Sequence, residues 1–198
     1  MNASYTKAET LTSVALAPLD LLRSAALVIG FSLLIALSAQ VAIPLPWTPV
    51  PITLQTFAVL LSGALLGSRL GTLAMIAYLI EGAGGLPFFA AGGSGVAHLL
   101  FSPTSGYLLS YPLAAFLVGL LAERGWDRRF LTAAAAMALG SILILLSGWA
   151  WLSRFVNASA AFQAGVAPFL IGDVVKIVFA AAVLPSGWAI LRKSSRRS

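Results

Sequence analysis

The sequence predicts an all-α integral membrane protein of six transmembrane helices with both termini cytoplasmic and structured outer loops covering a ligand pocket. Three observations predict it. Hydrophobic residues make up 60% of the 198-residue chain and charged ones 9%, at a mean hydropathy of +0.97. In water such a chain would expose a very large apolar surface. The apolar residues are gathered into runs separated by short polar or irregular connections, as helices crossing a bilayer require. The third observation is charge asymmetry. Threading the runs with cytoplasmic termini places Lys7, Arg23, Arg69, Arg124, Arg128, Arg129, Arg192, Lys193, Arg196 and Arg197 inside, against Arg154 alone outside. That is a strong positive-inside bias, and it favours an even number of crossings.

Six crossings of about 20 residues leave only short loops and tails. Residues 1–198 are therefore expected to form one membrane domain, with 1–20 a cytoplasmic tail and 192–198 a second, basic one. The opening stretch carries Lys7, Glu9 and Asp20 among scattered polar residues, unlike a cleavable signal peptide. A net charge of +6 would suggest nucleic acid in a soluble protein, but topology accounts for it here, and the expected surroundings are a lipid bilayer. The absence of cysteine excludes disulfides, thiolate metal sites and cysteine nucleophiles. His98 is the only histidine, which excludes a multi-histidine metal site and leaves it to cap or hydrogen-bond locally. No metal or cofactor is expected.

The first crossing runs from about Leu21 to Ala42, with small residues at four-residue spacing, Ala26 to Gly30 and Ser32 to Ala36. Such faces admit a second helix at close range, either within this chain or in a partner membrane protein. Pro44, Pro46, Pro49 and Pro51 then forbid a continuous helix. The uncharged segment suits a stiff outer loop, with Trp47 at headgroup depth or acting as a lid. Two runs follow, Leu54 to Gly67 and Leu70 to Ile80, joined by Gly67-Ser68-Arg69, each shorter than the ~20 residues of an upright crossing and therefore either extended by flanking apolar residues or a short helix packed in protein. Glu81 and the glycine-rich stretch to Gly95 form an apolar excursion, tolerated near membrane depth where it lines a cavity. It contains no phosphate-binding GxxxxGK[ST] motif. The fourth crossing spans about Thr104 to Ala122, with Thr104 or a neighbour as its cap. Tyr107 is an interfacial aromatic or turns its hydroxyl into the cavity. A charged connector, 123–129, leads to a fifth crossing, about Leu131 to Leu152. Residues 154–167 link it to the last.

That last run holds an acid and an ammonium among apolar neighbours, Asp173 and Lys176. Three residues apart on a helix, they share a face. The next charge, Arg192, is roughly 24 Å further along at 1.5 Å per residue, so the pair sits deep and towards the outer side. Pro185 lies between and can shorten that distance by a kink. Intramembrane charges mark functional sites by default; the competing reading is a salt bridge that locks helices together. As a site, the pair suits a small ligand with a carboxylate for Lys176 and N–H donors for Asp173. An intramembrane aspartyl protease is excluded, because Asp20 and Asp127 lie at helix ends. A passive channel or scaffold would leave the pair as a lock.

Four segments resemble the signatures of the BioY family: Pro49 to Phe57, Glu81 through Ala90, Ser102 to Leu108, and Gly172-Asp173-Val174-Val175-Lys176. The likeness covers about Ala36 to Lys176, with Ser102 where the family usually has glycine. It implies a biotin-specific S component of an energy-coupling factor (ECF) transporter in the bacterial cytoplasmic membrane. It further implies a transmembrane coupling protein and ATP-binding cassette ATPases as partners, since the chain has no nucleotide motif. The implied ligand-binding residues are Asp173 and Lys176, with Trp47, Gln55, Glu81 and Tyr107 as further candidates. The face of Ala26, Gly30, Ser32 and Ala36 becomes a candidate docking surface. A related carrier for another carboxylate-bearing vitamin is the nearest alternative.

Overall fold

A computed structural model describes residues 10–16 and 19–194. Lys7, Arg196 and Arg197, which enter the charge argument, lie outside them. The elements in chain order are α1 (Leu11–Ala15), α2 (Leu21–Gln40), β1 (Ala42–Ile43), β2 (Ile52–Thr53), α3 (Gln55–Ala83), α4 (Val96–Phe101), α5 (Ser105–Glu123), α6 (Phe130–Leu152), α7 (Ala158–Gly165) and α8 (Ala167–Ser194). Among the described residues, five stretches are long and apolar enough to cross a membrane: α2, α3, α5, α6, and α7 running into α8. Large apolar side chains such as Leu37, Leu113, Ile142, Val175 and Phe179 face outward, and the bundle is greasy on its outside as well as in its core.

The two short runs belong to one helix broken at Gly67, whose φ of 84° and ψ of 179° are non-helical. At that break α3 doubles back. Gln55 donates to the Tyr78 hydroxyl at 2.5 Å, although 23 residues of straight helix would separate them by roughly 34 Å. A Cβ on Gly71 would lie 3.0 Å from the Gly63 Cα, so the limbs touch backbone to backbone. Only glycine adopts this φ freely. The turn is fixed by Glu123, whose Oε1 accepts from Ser68 N at 2.7 Å and Ser68 Oγ at 2.9 Å, an anion at the start of the second limb. Helix α5 lies in the crook. A Cβ on Gly63 would meet the Ala115 carbonyl oxygen at 2.5 Å, and one on Gly119 would run into the Gly67 and Ser68 backbone.

Side-chain bonds identify the two ends of the bundle. At one end lie the Gly67 turn, Glu123, the 3-10 turn Trp126–Arg128 and the last part of α8, where Trp188 Nε1 donates to Asp127 Oδ2 at 2.5 Å. Leu11 of α1 packs there beside Gly187. At the opposite end Gln40 Nε2 donates to Pro87 O at 3.1 Å, Thr48 Oγ1 to Ala164 O at 2.8 Å, and Trp151 Nε1 to Ser102 O at 3.0 Å. These three bonds tie the proline loop, the glycine-rich loop and the connection from α4 to α5 to other elements.

Several expectations need correction. The proline loop is closed by a short antiparallel ribbon, Ala42 opposite Thr53 and Ile43 opposite Ile52, a small addition to an all-helical fold. Proline is absent from all four paired positions, which lets each residue offer its N–H. The glycine-rich excursion contains a 3-10 turn, Ala90–Gly92, and is followed directly by the short helix α4. The link before α8 contains α7, capped by Asn157 accepting from Ala160 N at 2.8 Å. Thr104 makes no side-chain cap for α5; its hydroxyl pairs with Ser102 Oγ at 2.9 Å instead. Most consequential, the small residues of α2 do not form one face. Ser32 and Ala36 are buried within this chain, whereas Ala26 is exposed and a Cβ on Gly30 would meet nothing within 4 Å. The reason is angular: at 100° per residue, positions 26 and 30 are well separated from 32 and 36.

Candidate ligand-binding site

The ribbon end holds an open-mouthed cavity. Each wall comes from a different element. Val50, Pro51 and Thr53 close it from the ribbon side, Gln55 and Thr56 begin α3, Ala90 and His98 come from the outer loop, Thr104 precedes α5 and Tyr107, Leu108 and Tyr111 lie on it, Leu145 comes from α6, and Phe169, Asp173 and Lys176 from α8. It is a mostly apolar, aromatic chamber with a few placed polar groups, the usual make-up of a small-molecule site.

Asp173 and Lys176 are brought together as their spacing requires, Nζ to Oδ1 at 3.4 Å, and Asp173 is only 6% exposed. Neither depends on the other alone. Lys176 Nζ also donates to the Thr53 carbonyl at 2.9 Å and to Thr56 Oγ1 at 2.8 Å. Asp173 Oδ2 accepts from Ser141 Oγ on α6. An isolated charge at a helix centre costs about 2.5–3.5 kcal/mol on insertion scales; here two opposite charges share hydrogen bonds with three neighbours, Thr53, Thr56 and Ser141, which offsets much of that cost.

The other candidates divide. Gln55 lines the cavity, with its amide committed to Tyr78. Tyr107 lines it too, but its hydroxyl donates to Gly165 O at 2.7 Å, so it contributes ring surface. Trp47 is a correction: it is 67% exposed and lines a separate outer groove with Pro103 and Phe155. Glu81 is another, since it lies on the second limb of α3 outside the cavity wall. His98 stacks on Phe89, ring centroids 5.4 Å apart, and burial lowers its pKa below the ordinary value.

Sequence reasoning missed Thr53, Thr56, Tyr111, Ser141 and Phe169. Ser141 carried a legible signal, a hydroxyl in the middle of an apolar helix at membrane depth. Thr53 carried none, because it acts through its backbone carbonyl. Among the described residues no group of three or more His, Asp or Glu could hold a metal ion.

A model of the BioY family matches residues 6–193. The chain belongs to the BioY family. Among its relatives is a protein of Pyrococcus horikoshii named probable biotin transporter BioY, 42% identical over 161 residues, covering 81% of this chain and 93% of that one. The biotin transporter BioY of Thermotoga maritima is 42% identical over 154 residues, 77% of this chain and 88% of that one. Among solved structures, the crystal structure of the S-component for biotin from an ECF-type ABC transporter superposes with a TM-score of 0.76 at 25% identity, covering 87% of this chain and 92% of that one. The family's helical bundle and the cavity described above thus occur in one chain.

Proposed function

We propose that this protein captures biotin at the outer face of a bacterial cytoplasmic membrane, as the substrate-binding S component of an ECF transporter. Uptake would draw on a transmembrane coupling protein and ATP-binding cassette ATPases, with no catalysis by this chain. The observation that carries the reading is the Asp173 and Lys176 pair walling an aromatic chamber at the ribbon end. In the proposed topology that end is outside. The two limbs of α3 each cross, giving six crossings, and the end holding Arg69, Arg124 and Arg129 faces the cytoplasm.

Within the cavity, Asp173 accepts N–H groups of the ureido ring and Lys176 takes the valerate carboxylate. Lys176 has one hydrogen to spend cheaply: its contacts to Thr53 and Thr56 are short, while the 3.4 Å contact to Asp173 is long and the one a ligand anion would replace. The competing reading is a structural lock, and it is favoured by the same saturated geometry. Biotin titration of purified protein, alongside Asp173→Asn and Lys176→Ala, separates the two. The site reading expects each variant to lose at least about tenfold in affinity, as truncating a charged hydrogen-bond partner does. Undiminished affinity in both, with a lowered melting temperature, would establish the lock. Ala26 and Gly30 are proposed as the part of α2 that meets the coupling protein.

A further inference from the structure

The acid and the lysine stand between two spaces. On one side is the chamber; on the other is a small apolar recess lined by Leu60, Met137, Ile177 and Ala180 and reached by Thr56, Ser141, Asp173 and Lys176. A carboxylate so placed lies at the boundary between them, with one oxygen towards α6. What holds Asp173 is its bond from Ser141, which is 4% exposed, lies on a different helix and does not line the chamber. Gly140, just before Ser141, lets α6 pack closely on α5 and α3: a Cβ there would run into the Val118 side chain and lie 2.5 Å from Leu60 Cδ2.

We infer that Ser141 is a positioning residue for ligand recognition: by engaging Oδ2 of Asp173 from the recess side, it fixes the carboxylate so that its remaining lone pairs serve the ligand's N–H donors. The inference rests on the proposed biotin site. A carboxylate offers about four acceptor positions, and two are occupied inside the protein by Ser141 and Lys176. The rest are available to a donor in the chamber. Removing the serine hydroxyl frees one oxygen to rotate, and the ligand must then bear the cost of holding it. Ser141 therefore acts on one chemical feature of the ligand, its N–H groups, and not on its ring or its carboxylate.

The test is calorimetric titration of the full-length protein in detergent, using biotin and the two mono-N-methylated ureido analogues, on wild type, Ser141→Ala, Ser141→Thr and Asp173→Asn. Ordering a carboxylate that the serine otherwise holds predicts about 2- to 10-fold weaker biotin binding by Ser141→Ala. Ser141→Thr, which keeps a hydroxyl, should recover most of it. The analogue lacking the N–H that Asp173 receives should bind wild type weakly and lose little more on Ser141→Ala, as coupled groups do. Equal losses for biotin and both analogues would mean that Ser141 only fills space, and an unchanged biotin affinity would remove it altogether; either result overturns the inference. Asp173→Asn separates the levels. If it leaves biotin binding intact the site reading itself fails, whereas a strong loss there with a neutral Ser141→Ala sinks the serine's role alone.

Discussion

Asp127 shows how a single buried charge is managed at the end away from the cavity. It is 2% exposed, and burial raises its carboxyl to about 6, opposed by the hydrogen bond from Trp188 and by the Arg128 charge. The folded protein thus holds a proton that the unfolded chain, with an ordinary value of 3.8, releases. The stability this contributes is complete below pH about 3.8 and lost as pH rises through about 6. Asp127→Asn keeps an acceptor for Trp188 and removes the charge. Its melting temperature should be nearly flat where wild type falls between pH 4 and 6, with a gain on the order of 1–3 kcal/mol at pH 7. Parallel curves for the two proteins would contradict this. At the same scale, Asp173 and Lys176 were legible because opposite charges in an apolar run are conspicuous. Their partners were not, since a backbone carbonyl at Thr53 and a hydroxyl at Ser141 belong to distant segments that only folding brings near.

At the scale of elements, α2 is the one whose sequence pattern promised more than it holds. Four small residues suggested one docking face, but two of them are already covered by this chain. The consequence is a pair of contrasting substitutions. Gly30→Leu meets open space and should leave melting temperature and biotin affinity unchanged while weakening copurification with the coupling protein. Ala36→Leu must force a side chain into a packed position that is 5% exposed, and should destabilise the protein itself by about 1–3 kcal/mol. A Gly30→Leu protein that still assembles fully would move the docking surface elsewhere. Helix α3 was legible in a different way: the junction at Gly67-Ser68-Arg69 was visible as punctuation between two short runs. Its meaning, a reversal rather than a bend, was not, because Glu123 and the close approach of α5 decide it.

For the whole molecule, the proposed six-crossing topology can be tested directly because the chain contains no cysteine. Single cysteines at the exposed positions Arg69 and Arg129 should react with a membrane-impermeant maleimide only after permeabilisation of cells, and cysteines at Gly85 and Val156 in intact cells. Labelling of Arg69→Cys from outside would invert the topology and put the cavity in the cytoplasm. Composition, run lengths and the sorting of arginine and lysine are sums over the sequence, so the sequence by itself settled a helical membrane bundle, the approximate helix limits and the charged pair. Tertiary structure alone decided that α3 folds back, that a ribbon closes the proline loop, that Trp47 and Glu81 stand outside the chamber, and that Ser141 meets Asp173. These are relations between residues tens of positions apart. The free energy that selects them comes from close approach and shared hydrogen bonds, which exist only once the helices are side by side.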